Sequence, residues 1–171
     1  MINIIELDNA LLPKAKKLVK TVFKSMDMRE KMSFWFYKHQ KNRFMKPVLR
    51  LFGYTDSMRY WVAVDERAEI CGITGLYNER KDREDTVWLC WFCVDPKYRG
   101  RGLGKKLLEF SIEKARGYGK KRLCLYTTTD PNEAGAQLLY EKYGFKITKI
   151  KNYPDYTVMY REKVLTELGT D

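Results

Sequence analysis

An apolar run at residues 87–94, a basic glycine-rich segment at 99–104 and a leucine-rich stretch beginning at Leu103 constrain this chain more than any other feature. The run reads Val-Trp-Leu-Cys-Trp-Phe-Cys-Val, apolar at odd and even positions alike, as expected of one strand covered on both faces. Leu103, Leu107, Leu108, Ile112 and Ala115 then recur at helical spacing. The order is therefore strand, loop, helix. The first turn of a helix carries N–H groups without intrahelical partners and the positive end of the dipole, which together favour a phosphate. Gly100, Gly102 and Gly104 keep Cβ atoms from holding an anion away from those amides, and Arg99, Arg101, Lys105 and Lys106 add charge. The segment predicts a pyrophosphate site.

Two familiar phosphate loops are excluded. A Walker-type G-x-x-x-x-G-K-[ST] counted back from Gly104-Lys105 finds Arg99 at its first glycine and Lys106 at its Ser/Thr. A dinucleotide G-x-G-x-x-G read from Gly100 meets Lys105 at its third glycine, and read from Gly102 it meets Leu107. What remains is R-x-x-G-x-G over residues 99–104, preceded by Val94-Asp95-Pro96.

That segment resembles the coenzyme A loop of the GNAT superfamily of N-acetyltransferases. Residues 136–145, Ala-Gln-Leu-Leu-Tyr-Glu-Lys-Tyr-Gly-Phe, are similar to the same family's A-x-x-L-Y-E-K-x-G-F signature, and the two motifs stand in the family's order and at about its separation. The resemblance implies an α/β (α+β) fold: a mixed, mostly antiparallel central sheet of six to seven strands, parallel between the fourth and fifth, flanked by about four helices. It also implies acetyl-CoA as co-substrate, with no metal, and transfer of an acetyl group to a primary amine of a small molecule or protein by direct attack on the thioester.

Carried onto this chain, the resemblance sets the pantetheine arm against main-chain groups of Phe92 and Val94. It sets the pyrophosphate against the amides of Arg99, Gly100, Arg101, Gly102, Leu103, Gly104 and Lys105. The family's thiol-facing tyrosine matches Tyr140. A lysine-like amine, pKa near 10.4, must lose a proton before it attacks, and the departing thiolate needs one; Tyr140 is the expected donor. Two departures stand out. Many relatives place a glutamate on the fourth strand, where residues 88–94 hold no carboxylate, leaving Glu79, Glu84, Asp85 or a water relay as the base. The asparagine that often precedes the second motif is displaced, Glu133 holding its place, so Asn132 one residue earlier is the candidate for a side-chain bond to the cofactor.

At 171 residues the chain suits a single domain, 1–171, with its own core. Its 33 Lys+Arg against 22 Asp+Glu give a net charge of +11, a field that attracts anions: coenzyme A, nucleic acids or acidic proteins. A nucleic-acid partner is disfavoured because the interleaved aromatic and basic patches of RNA platforms are missing. A non-catalytic module that senses coenzyme A is the alternative to an enzyme, and homodimerisation stays open. Cys71, Cys90, Cys93 and Cys124 all fall in apolar strand-like runs and read as reduced core residues; in a regular strand Cys90 and Cys93 would point to opposite faces. No apolar run approaches the ~20 residues of a membrane span and no signal-peptide plan opens the chain, so a cytoplasmic location is expected.

Taken in order, residues 2–7 read as a strand and Pro13 opens a helix with Ala15, Leu18, Val19 and Val22 on one face. Residues 28–52, rich in aromatic side chains and methionine, predict a helix broken at Pro47, ended by Gly53, and placed by the resemblance over the acceptor entrance. Residues 59–65 and 69–77 predict a hairpin through Asp65-Glu66-Arg67-Ala68, with Gly72 and Gly75 marking a bulge. Residues 78–85 read as a solvated turn, and 122–127 as a strand parallel to the fourth. Asp130, Pro131 and Glu133 predict a capped helix start worth about 1 kcal/mol. Ala136, Leu139, Tyr140 and Tyr143 make an inward stripe and Gly144 the stop, followed by strands at 145–149 and 157–161 and a frayed tail.

Overall fold

The computed structural model describes residues 1–23, 28–51, 58–79, 82 and 84–165. In chain order the elements are β1 Asn3–Glu6, α1 Leu12–Val22, α2 Met28–His39, α3 Lys46–Leu51, β2 Arg59–Val64, β3 Ile70–Tyr77 and β4 Thr86–Val94. There follow α4 Leu103–Gly117, β5 Arg122–Thr128, α5 Ala134–Lys142, β6 Lys146–Asn152 and β7 Thr157–Val164, with short 3₁₀ turns at Arg43–Met45, Pro96–Tyr98 and Pro131–Glu133. The strands form one sheet in the order β1-β2-β3-β4-β5-β7-β6. Every neighbouring pair is antiparallel except β4 and β5, which are parallel as the strand–helix–strand alternation requires.

Five helices stand where about four were expected, because residues 28–51 divide into α2 and α3. The break falls before Pro47. Gln40 turns inward and brackets Met58, accepting from its N–H at 3.0 Å and donating to its carbonyl at 2.7 Å. Asn42 then caps the turn that follows, accepting from the Phe44 N–H at 2.9 Å. Pro47 instead occupies the first turn of α3, where a missing N–H costs nothing. The expected stop at Gly53 and the tail at 166–171 lie outside the described residues.

Both faces of the sheet's first half are covered. On one, Leu12, Ala15, Leu18 and Val19 of α1 pack with Phe34 against Tyr60, Val62, Ile73 and Trp91. On the other, α4 sets Leu103, Leu107, Leu108, Ile112 and Ala115 against Ala63, Leu76, Leu89, Leu123 and Leu125. Leu107 and Leu108 are fully buried, worth about 1.5–3 kcal/mol each, which holds α4 and the loop before it firmly to the sheet. Gly72 allows that approach: a Cβ there would lie 2.8 Å from Leu107 Cδ1 and 3.0 Å from the Cys93 carbonyl oxygen.

As expected, β3 is irregular beside Gly72: Ala63 faces Gly72 and Val64 faces Ile70, so Cys71 is extra against β2. A second bulge lies on β4. Ile73 faces Cys93 and Gly75 faces Cys90, so three steps along β4 match two along β3. The extra residue is Trp91, with φ at 48°. The inserted residue returns Cys93 to the face of Cys90, and both pack with Trp91 in the α1-side cluster rather than on opposite faces as a regular strand would dictate. The thiols are free, and burial pushes the Cys93 pKa up to about 12.

Candidate active site

β4 and β5 pair only at their beginnings: Thr86 with Arg122, Val87 with Leu123, Trp88 with Cys124. Beyond Trp88, β5 stays with β7 as far as Thr128 while β4 stays with β3 to Val94, so a notch opens between the two parallel strands. Ile73 faces Cys93, and the Asp95 N–H donates to the Cys71 carbonyl at 2.8 Å, so residues 93 and 95 direct their main-chain groups at β3. By alternation Phe92 and Val94 turn theirs to the notch. The Val94 carbonyl accepts from Arg99 Nε at 3.2 Å; neither residue has a strand partner on that side.

At the mouth of the notch the basic loop is held from below. Asp95 caps the turn Pro96–Tyr98, accepting from the Lys97 N–H at 2.9 Å. The Tyr98 hydroxyl donates to Asp65 Oδ2 at 2.7 Å, and the other Asp65 oxygen accepts from the N–H groups of Arg67 and Glu69, both at 2.9 Å. The β2–β3 turn thus anchors the loop, a contact that sequence reading passed over because Asp65 looked like a turn residue and nothing more. Gly100 and Gly102 have φ of 74° and 75°, which only glycine adopts without strain. The first intrahelical bond of α4 runs from the Lys106 N–H to the Gly102 carbonyl at 3.1 Å, and among the described residues no acceptor meets the amides of residues 100–105. Such a row of unmatched donors at a helix start, with Arg99 and Arg101 beside it, suits a diphosphate.

The hydrogen bond from Tyr98, followed by that from the Glu69 N–H, holds the Asp65 carboxyl below its ordinary 3.8. A depressed carboxylate stabilises the fold above the unfolded pKa and loses that contribution as pH falls through the folded one. Tyr98→Phe is expected to move the Asp65 titration upward toward 3.8 by NMR. An unmoved Asp65 titration would show that the latch is not closed in solution.

Tyr140 rises from α5 into the base of the notch. It is buried, its ring centroid 5.6 Å from those of Phe92 and Phe145, and its hydroxyl meets no hydrogen-bond partner among the described residues. Burial, and next the charge of Glu133, raises its pKa above the usual 10 of a phenol, so the group stays protonated at neutral pH. Of the expected inward stripe only Tyr140 is fully buried; Ala136, Leu139 and Tyr143 are half-buried. A Cβ at Gly104 would touch Leu139 and Val94 at 3.8 and 3.9 Å, so the loop, α5 and β4 converge.

Asp130 caps the short turn Pro131–Glu133 rather than α5 itself, accepting from the Asn132 N–H at 2.8 Å. Glu133, expected to reach back to the cap, instead accepts from the Thr128 N–H and hydroxyl at 2.9 and 2.7 Å, tying α5 to the end of β5. Asn132 is exposed on this turn, apart from the Tyr140 cluster. The carboxylates considered as base lie elsewhere. Asp85 is engaged by the Thr86 hydroxyl and sits 3.8 Å from Arg122 Nε at the closed end of the notch. Seven residues of extended chain, roughly 23 Å, separate it from Phe92. Glu84 adjoins it, and Glu79 follows the end of β3, where Tyr77 faces Trp88. Of the segment expected over the acceptor entrance, Phe34 and Phe36 are buried, Phe34 stacking on Trp91 at 5.4 Å, while Trp35 and Phe44 are exposed.

On the face away from α4, across the paired beginnings of β4 and β5, a cavity of about 360 Å³ is lined by Asp82, Thr86, Trp88, Arg122, Tyr160 and Glu162 among others. Among the described residues no group of three or more His, Cys, Asp or Glu side chains could hold a metal ion, and no helix is long and apolar enough to cross a membrane.

A mixed sheet split between two parallel strands, with a bare glycine loop at the mouth and a tyrosine-bearing helix beside it, is the architecture that the GNAT resemblance implies. Residues 25–145 match the family model described as acetyltransferase (GNAT) family, and the chain belongs to that family. Over 91 residues it is 34% identical to the spermine/spermidine N(1)-acetyltransferase of Bacillus subtilis, covering 52% of this chain and 59% of that protein. Over 90 residues it is 34% identical to the peptidyl-lysine N-acetyltransferase YjaB of Salmonella typhimurium, covering 52% and 50%. The chain spans about half the length of the curated relatives it matches. In fold it is similar to yncA of Salmonella typhimurium, solved with its cofactor acetyl-CoA, at a TM-score of 0.70 and 19% identity over 100% of this chain and 98% of that one.

Proposed function

We propose that this chain is an acetyl-CoA-dependent N-acetyltransferase, built as a single domain, that moves an acetyl group to a primary amine of a small molecule or protein by direct attack on the thioester. One observation carries the reading: the unmatched amides of residues 100–105, the unpaired edge of β4 at Phe92 and Val94, and the buried phenol of Tyr140 lie along one notch. In this reading the loop holds the diphosphate with help from Arg99, Arg101 and Lys105, the β4 edge holds the pantetheine arm, and Asn132 bonds the cofactor from the start of the α5 segment. Acetyl-CoA supplies an acyl group on a good leaving thiol. Tyr140 supplies the proton that the departing thiolate takes up to become the free thiol, help typically worth ~10²–10⁴ in rate.

The relatives named for spermine, spermidine and peptidyl-lysine support an aliphatic primary amine as acceptor. The cavity on the opposite face would receive it between Trp88 and Tyr160. Of the carboxylates considered as base, Glu79, Glu84 and Asp85, none lies beside Tyr140, which leaves a water relay to take the amine's proton.

Thermal shift with acetyl-CoA, coenzyme A, NAD and ATP, then thiol release over polyamines, amino acids, aminoglycosides and peptides, tests the proposal. Stabilisation by the two coenzyme A forms alone, with thiol release for one class of amine, is the expected result. Binding without release for every amine makes the chain a coenzyme A sensor. Stabilisation by NAD or ATP alone overturns the assignment of the loop.

A further inference from the structure

Thr127 carries a buried hydroxyl that nothing among the described residues bonds. The residue is 3% exposed, and among the described residues Oγ1 has no hydrogen-bond partner. Side chains alternate along a strand, so Thr127 shares the face of Leu123 and Leu125, both packed in the cluster beneath α4 and α5, whereas Tyr126 between them is 42% exposed on the opposite face. The polar groups next to it are already matched. Thr128 donates its N–H and hydroxyl to Glu133, and its carbonyl accepts from Gln137 Nε2 at 2.7 Å.

Its height in the notch is set by register. Pairing of β4 with β5 ends with Trp88 opposite Cys124. Three residues further on, Thr127 stands level with the bulge at Trp91 and hence beside Phe92, whose ring rests against Tyr140. The orphan hydroxyl therefore belongs to the β5 wall of the notch, at the level of the phenol and across from the unpaired β4 edge. Native interiors rarely leave such a group unmatched unless a ligand completes it.

We propose that Thr127 is a binding residue for the acyl carrier, donating its hydroxyl hydrogen to a carbonyl oxygen of the acyl-pantetheine arm. The inference rests on the acetyltransferase reading and adds to it a side-chain contact from β5, where that reading draws only on β4, the loop and the α5 segment. A carbonyl is the chemistry in question because the arm offers several, the thioester and its amides, and because a donor that strand hydrogen bonding has bypassed needs an acceptor.

Calorimetric titration of the full chain with acetyl-CoA and with coenzyme A, for wild type, Thr127→Val and Thr127→Ser, tests it alongside the melting temperature of each ligand-free protein. Valine keeps the shape and removes the hydroxyl. The expected result is an unchanged or higher melting temperature for the ligand-free valine variant, a roughly three- to tenfold loss of acetyl-CoA affinity, and recovery in the serine variant. A loss seen with acetyl-CoA but not coenzyme A assigns the bond to the thioester carbonyl; a loss with both assigns it to a pantetheine amide carbonyl. Unchanged affinity for both ligands overturns the inference, as does a lower melting temperature of the ligand-free valine variant, which would reveal an internal partner. Failure of the wild type to bind either ligand is a different outcome and overturns the acetyltransferase reading itself.

Discussion

If the proposed reading holds, Tyr140→Phe is expected to lower kcat by about 10²–10⁴ and to leave the acetyl-CoA dissociation constant nearly unchanged. The division follows from what each part of the side chain touches. The ring packs against Phe92 and Phe145, and phenylalanine keeps both contacts. The hydroxyl makes no hydrogen bond among the described residues, so its removal leaves no orphaned partner and costs little stability. What disappears is the phenolic proton held ready at the base of the notch. Because burial raises the phenol's pKa above 10, the donor stays loaded through the neutral range. Any alkaline fall in kcat due to Tyr140 therefore lies above pH 10 and is absent from the variant. Steady-state kinetics with an accepted amine, set beside direct binding of acetyl-CoA, check it. A variant that retains most of its turnover would remove Tyr140 from the chemistry and leave it as an aromatic core residue.

The parts of this molecule that were legible in the sequence are those whose physics is local. A loop that must present main-chain amides needs positive φ at particular positions, and it announces itself as Gly100 and Gly102. The amphipathic spacing of Leu103, Leu107 and Leu108 likewise marks which side of α4 faces the sheet. What escaped depended on partners distant in the chain. Nothing in residues 90–93 signals that Trp91 is an extra residue; that emerges only when β4 is set against Ile73 and Gly75 of β3, and with it the shared face of Cys90 and Cys93. The end of α2 is decided by Gln40 reaching Met58 rather than by the nearby proline. Asp130 and Glu133 show an intermediate case: the cap lies where the local signal placed it, but Glu133 serves Thr128 on β5, a tertiary tie that the capping pattern cannot express.

Gly75→Ala provides the sharpest test of that bulged register, because the position is where β2, β3 and β4 press together. A Cβ at residue 75 would stand 2.2 Å from Tyr60 Cδ1 and 2.9 Å from Cys90 Sγ. Tyr60 cannot swing away, since it is 1% exposed and its ring is wedged between those of Phe34 and Tyr37 at 5.4 and 4.6 Å. One added methyl group must therefore displace packed aromatic side chains or move the strand, at a cost near the upper end of overpacking penalties, about 3 kcal/mol. For a chain of this size that corresponds to a fall in Tm of roughly 6–12 °C. Gly135→Ala is the natural control: it lies inside α5 with nothing within 4 Å of the added carbon, and removing a helical glycine should stabilise by about 0.5–1 kcal/mol. The two variants also separate at the notch. Gly75 faces Cys90, the residue before the Trp91 bulge, so strain there reaches the Phe92 and Val94 edge and weakens acetyl-CoA binding along with the fold. Scanning calorimetry and ligand titration on the two variants measure both effects. A Gly75→Ala protein melting within about 2 °C of wild type would mean that β3 and β4 are not in this register, and the notch built upon it would fall with the bulge.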